Sequence, residues 1–262
     1  MSEAPGRALV TGASVGIGHD LAIVLAENKH DLVIVARNQT QLESLAGDLR
    51  SRFNVKVDVA PQDLAKPQAA GEIFDELERR DIAIDILINN AGFGGHGRFD
   101  RENVDEILDM LQVDVVALTH LTRLFLPRMV EQKRGRVMNV ASTAAFQPGP
   151  LMAVYYASKA YVLSFSEAIA SELKRTGVTV TALCPGPTIT EFQKRAGMAE
   201  SGMFQSGLAM DSMSVARIGY RAMMRGKRVA IAGLRNKIMA HSTRLAPRSL
   251  LASVVKKLNQ SR

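Results

Sequence analysis

Across 262 residues there is a single cysteine, Cys184, which excludes an internal disulfide framework and suits a reducing compartment. No apolar run approaches the ~18 residues of a membrane span. The opening residues show no basic-then-apolar leader, and residues 7–11 already read as structural, so a soluble, cytoplasmic protein is expected. Only 5% of residues are aromatic and no nucleic-acid-binding motif is present, so nucleic acid is not an expected partner. There is no internal repeat, low-complexity tract or linker, which predicts one domain over residues 1–262; no metal site is expected. The last absence is local. From residue 217 onward the chain has twelve Lys or Arg and no Asp or Glu; of its 33 basic residues 21 remain, against all 26 acidic ones. The last 46 residues therefore hold the whole +7 excess. Such a stretch can be a solvated face, an attraction for phosphate-bearing substrates or a weak membrane-surface patch.

What is present is a core-forming composition, 47% apolar and 23% charged. Residues 7–11 read as a buried strand. Gly12, Ala13, Ser14, Val15, Gly16, Ile17 and Gly18 follow as a glycine-rich turn, and residues 19–28 have helical spacing. A strand, a glycine turn and a helix open a nucleotide-binding βαβ unit. Glycines let the backbone approach a pyrophosphate, and the helix start offers unpaired N–H groups to it. Strands are expected at 31–36, 55–60, 84–88, 135–141, 178–183 and 228–232, alternating with helices at 38–52, from Pro67 through Leu77, 104–129, 155–175 and 214–225. The helix over 104–129 should break near Pro127. That alternation predicts an α/β fold, a single doubly wound Rossmann-type domain with a seven-stranded parallel sheet. Residues 235–262 add a basic helical extension with Leu250, Leu251, Val254, Val255 and Leu258 on one stripe, interrupted by Pro247. It could dock on its own domain, on a second subunit or on a membrane surface.

Tyr155 and Lys159 stand four apart, so on a helix their side chains share a face. A phenol titrates near ~10, and a neighbouring ammonium favours the phenolate and draws that value toward working pH. Ser142 closes a strand and can lean toward the same helix. Three polar groups thus converge on one small carbonyl or alcohol. Tyr156 competes as a phenol, but its spacing to Lys159 favours Tyr155, and Tyr156 reads as packing.

With the glycine loop and Asn89-Asn90-Ala91-Gly92 between, this block resembles the short-chain dehydrogenase/reductase family, in the family's order and spacing over most of the chain. Gly12, Gly16 and Gly18 match its Thr-Gly-x-x-x-Gly-x-Gly pattern. The resemblance implies catalysis by Ser142, Tyr155 and Lys159, with Tyr155 and Lys159 also on the cofactor. Gly12, Ser14, Gly16, Ile17 and Gly18 would cradle its phosphates. Asp63 and Leu64 would border the adenine, Asn90, Ala91 and Gly92 would line the cofactor, and Pro185, Gly186, Thr188 and Thr190 would surround the nicotinamide amide. The residue ending the second strand meets the adenosine ribose in this family. Here Ala36 is followed by Arg37 and Asn38 with no carboxylate until Glu43, which favours NADP(H) over NAD(H).

Asp114 stands where the family has an Asn whose main-chain carbonyl holds a relay water. An Asp leaves that carbonyl intact, while its carboxylate would alter the charge balance of Lys159. His96, in a glycine loop, reads as a surface residue. Residues 193–213 read as a substrate lid rich in methionine, adaptable to an apolar ligand or generic filler. The expected function is NADP(H)-dependent hydride transfer between nicotinamide and a carbonyl or secondary alcohol, with an apolar ketone or keto-acyl substrate and a homodimer or homotetramer. The alternative is a non-catalytic NADP-sensing regulatory protein.

Overall fold

The computed structural model describes residues 5–190, 209–243 and 246–260. Seven parallel strands form one sheet: β1 (Ala8–Thr11), β2 (Leu32–Ala36), β3 (Val57–Pro61), β4 (Ile86–Asn89), β5 (Gly135–Val140), β6 (Val178–Cys184) and β9 (Val229–Ile231), in spatial order β3-β2-β1-β4-β5-β6-β9. A separate two-stranded parallel pair, β7 (Thr188–Ile189) with β8 (Met210–Asp211), was not expected from the sequence. Strand residues alternate between the two faces. Ala8, Val10, Leu32 and Ile34 join one core cluster with α1 (Gly16–Glu27), α2 (Gln39–Phe53) and α7 (Ser212–Met224). Leu9, Val33, Val35 and Leu87 join the other with α3 (Ala69–Arg79) and α5 (Leu118–Glu131). Both faces of the sheet are covered, which is why β1 and β2 are buried throughout, while β3 at the edge alternates Val57, Asp58 and Val59. Cys184 lies buried at the end of β6, where burial pushes its thiol up to about 12.

The order reverses direction at β1, and the crevice between β1 and β4 is the place where such sheets bind ligands. Thr11 ties the floor of that crevice together: its Oγ1 accepts from the N–H groups of Asn90 and Ala91, at 3.0 Å each. Below it, buried Asn89 donates to Thr122 Oγ1 at 3.0 Å and to Asn139 Oδ1 at 2.9 Å. Asn139 in turn donates to Ser166 Oγ at 2.9 Å, tying β4, β5, α5 and α6 (Ala153–Glu172) together.

The long helix expected over 104–129 departs from expectation. It does not break at Pro127, which lies inside α5. The ring costs one backbone hydrogen bond, but Leu121, Phe125 and Met129 anchor the helix on both sides, Phe125 edge-on to Phe74 at 5.2 Å. The irregularity comes earlier. After α4 (Val104–Leu111), residues Gln112–Ala117 form a π-helical turn, a local widening that re-aims a side chain. It turns Asp114 fully inward.

The basic extension forms two helices, α8 (Leu234–Ser242) and α9 (Arg248–Asn259), on either side of Pro247. The expected substrate lid over 193–213 falls mostly outside the described residues. No described helix is long and apolar enough to cross a membrane.

Candidate active site

A cleft of about 1130 Å³ opens beyond the carboxyl ends of the strands. Gly12, Ser14, Gly16 and Ile17 form one wall. Val15 precedes α1 without a side-chain cap, so the first N–H groups of that helix remain available to an anion. Gly12 has φ +65°, and a Cβ there would lie 2.8 Å from Asn90 Nδ2. Gly18 is not among the residues of the cleft wall; a Cβ there would collide with Gly12 O and Asn90 Nδ2, so its lack of a side chain lets the helix pack close to the loop. Asn90 holds the loop from the other side, donating to Thr11 O at 2.9 Å and Gly12 O at 3.2 Å.

Arg37 lines the far end of the cleft beside Ala36, with its side chain exposed. Next to it Asn38 caps α2, accepting from Gln41 N at 3.1 Å, so that amide is engaged with the helix. Asp63 and Leu64 line the same end, and the Asp63 carboxylate accepts from Ala65 N at 3.1 Å. Ala91 and Gly92 line the middle. Pro185, Gly186, Thr188 and Thr190 close the opposite side, where Thr188 donates to Gly186 O at 2.9 Å. A Cβ on Gly16 would meet Thr190 Cγ2 at 3.1 Å, so the two loops face each other across a narrow gap. Glycines pressed against neighbouring backbone, an uncapped helix start and a guanidinium at the far end fit a dinucleotide.

At the inner end, Ser142 caps a short 3₁₀ turn at Thr143–Phe146, accepting from Ala144 N at 3.1 Å, and its hydroxyl hydrogen-bonds that of Tyr155. Lys159 Nζ sits 5.7 Å from the centroid of the Tyr155 ring. The three residues come together as the sequence predicts. Asp114 does more than its backbone role requires: its Oδ2 lies 3.2 Å from Lys159 Nζ, with both side chains buried. Ser158 donates to the same oxygen at 2.9 Å, and Phe93 N donates to Oδ1 at 3.1 Å. Gly92 leaves room for this pair, since a Cβ there would lie 2.7 Å from Asp114 Oδ1.

That pairing corrects one expectation. The Tyr155 phenol is raised above its ordinary value, not drawn down. Burial is the largest cause; the Ser142 hydrogen bond opposes it, and the Asp114 carboxylate adds to the rise. The ammonium one turn away is matched by a carboxylate, so little net positive field is left to favour phenolate. At neutral pH the phenol keeps its proton.

Several participants were missed from sequence. Ser158 carries no signal beyond its place before Lys159. Leu234, Arg235, Asn236 and Met239 of α8 and Leu258 of α9 also line the cleft, so the basic extension is one of its walls. Val255 packs with Ala144, Met152 and Tyr156. Asn259 is buried, donates to Pro150 O at 2.9 Å and accepts from Tyr156 OH at 3.5 Å. His96, read as a surface residue, donates from Nε2 to Asn259 O at 2.7 Å. Tyr156, read as packing, is buried against Ala144, Met152 and Val255 and also lines the cleft.

The short chain dehydrogenase family profile matches residues 7–201. A very-long-chain 3-oxoacyl-CoA reductase of Phaeosphaeria nodorum is 35% identical over 178 residues, which cover 66% of this chain and 52% of that one. The chain thus spans about half the length of the curated relatives it matches. Among solved structures, a short-chain dehydrogenase from Sphingobium yanoikuyae in complex with NADPH superposes with a TM-score of 0.82 at 32% identity, covering 91% of this chain and 94% of that one. A bulky-bulky ketone specific alcohol dehydrogenase from Comamonas testosteroni gives 0.79 at 30% identity, covering 92% and 94%. With a glycine loop, an Asn-Asn-Ala-Gly turn and a Ser-Tyr-Lys cluster around one cleft, the chain belongs to the short-chain dehydrogenase family.

Proposed function

We propose that this protein is an NADP(H)-dependent oxidoreductase that reduces an apolar ketone or keto-acyl group to the secondary alcohol. The observation that carries the reading is the convergence of Ser142, Tyr155 and Lys159 at the inner end of a cleft whose other end presents Arg37. Bound there, the nicotinamide supplies or accepts hydride. The chain does the rest. Ser142 and Tyr155 hydrogen-bond the carbonyl oxygen, and Tyr155, kept protonated by burial, gives its proton to the developing alkoxide. Lys159 holds the ribose side of the cleft, and Asp114 fixes its position through the 3.2 Å ion pair. A protonated phenol suits reduction; the reverse direction needs the phenolate and is therefore favoured only at higher pH.

Arg37 supports NADP(H), because a guanidinium can pair bidentately with a phosphate where a carboxylate would repel it. The names of the reductase of P. nodorum and the ketone-specific enzyme of C. testosteroni support the substrate class. So does the wall formed by Met152, Tyr156, Met239 and Leu258.

A panel of carbonyl compounds followed by coenzyme absorbance, run with NADPH and NADH, tests the reading. Apolar ketones and keto-acyl thioesters should turn over with NADPH preferred; activity confined to small polar sugars would refute the substrate class. Tyr155→Phe should lower turnover by about 10²- to 10⁴-fold, the usual worth of a positioned acid, while NADPH still binds. Undiminished turnover in that variant would remove the mechanism.

A further inference from the structure

The stripe on α9 divides in the structure. Val255 is buried against Met152 and Tyr156, whereas Leu250, Val254 and Leu258 remain 57%, 48% and 44% exposed at intervals of one helical turn. On α8, Asn236 and Ala240 are buried, while Leu234 and Ile238, also one turn apart, are 73% and 62% exposed. Lys237 and Arg235 flank that crest, and Lys257 flanks the one on α9. Leu234 and Leu258 also line the cleft, so the two exposed stripes meet at its mouth.

We propose that this face rests on the surface of an anionic phospholipid bilayer, with the mouth of the cleft turned toward the lipid. Exposed aliphatic side chains flanked by bases are what an interfacial helix presents: apolar groups enter the headgroup boundary and cations meet the phosphates. Charge complementarity selects this occupant. From residue 217 onward the sequence holds no Asp or Glu, so neither α8 nor α9 brings an acidic side chain of its own to the patch. A second copy docking through the same patch would therefore set like charges against each other. The other flank of the cleft, α4, carries Asp105, Glu106 and Asp109, so the two flanks differ in sign and an anionic surface takes the α8–α9 side. An apolar substrate would then pass between bilayer and cleft without crossing bulk water.

The test is flotation of the full chain with vesicles of phosphatidylcholine alone or mixed with phosphatidylglycerol, at low and raised salt. The wild type should bind the mixed vesicles about tenfold better than the neutral ones and weaken with salt. The triple variant Ile238→Ser, Leu250→Ser, Val254→Ser, at unchanged melting temperature, should lose the vesicles; none of the three lines the cleft. Three outcomes overturn the proposal: no binding to mixed vesicles, binding by the triple variant equal to wild type, or a dimer in light scattering that the triple variant dissociates, which would make a second copy the occupant. All are read without turnover, so they stand apart from the test of the reductase reading.

Discussion

Asp114 is a carboxylate with no exposed surface, held by one ammonium, one hydroxyl and one backbone N–H. Replacing it with Ala would leave Lys159 as a buried unpaired charge, a loss of about 3–5 kcal/mol for pairs of this kind. Asn keeps the shape and removes the charge. The Asp114 carboxylate raises the Tyr155 phenol, so Asp114→Asn should move the alkaline limb of the reductive pH–rate profile to lower pH. A profile superimposable on wild type would show that the carboxylate has no electrostatic hold on the phenol. The identity of this residue was legible from its place in the family pattern. Its contact was not, because the distance from residue 114 to 159 is set by the packing of α4 and the π turn against α6, and no local pattern of side chains encodes that.

At the scale of elements, β1 and β2 announced themselves as short apolar runs because both their faces are covered, and the edge strand β3 announced itself by alternation. The tail was less legible. Its stripe revealed a helix but not which half of the stripe would be covered, a matter decided by Asn259 reaching Pro150 and Tyr156. His30, just after α1, pins that helix to the first segment and to α7. Its Nδ1 donates to Gly6 O at 2.7 Å, and its Nε2 shares a hydrogen bond with Tyr220 OH at 3.1 Å. Its pKa is lowered, chiefly by burial, with the Gly6 carbonyl opposing and Arg136 assisting. A group lowered in the folded state contributes stability above its ordinary value near ~6.5 and loses it as pH falls through the folded value. The melting temperature should therefore drop on acidification, and a His30→Gln variant should show a shallower drop. Parallel slopes for the two proteins would assign the acid sensitivity to other groups.

For the whole molecule, a doubly wound, seven-stranded parallel sheet was expected, whereas the second, two-stranded pair was not, since strands of two residues carry no periodicity. Among the described residues, two apolar stretches of the surface differ in character. One is the basic face of α8 and α9. The other runs over α4, the π turn and α6, where Val104, Leu108, Val116 and Tyr161 are exposed. The homodimer or homotetramer expected from the sequence can be tested on this second region: Val116→Glu should shift light-scattering mass toward the monomer, and an unaltered mass would send the search for the contact elsewhere. Both surfaces can be followed with one tool that the chain already provides. Because Cys184 is sealed in the core with its thiol pushed up to about 12, it is a silent background. A cysteine introduced at an exposed position would take a maleimide dye alone, and the colour of that dye would report whether water, lipid or another protomer lies beside it.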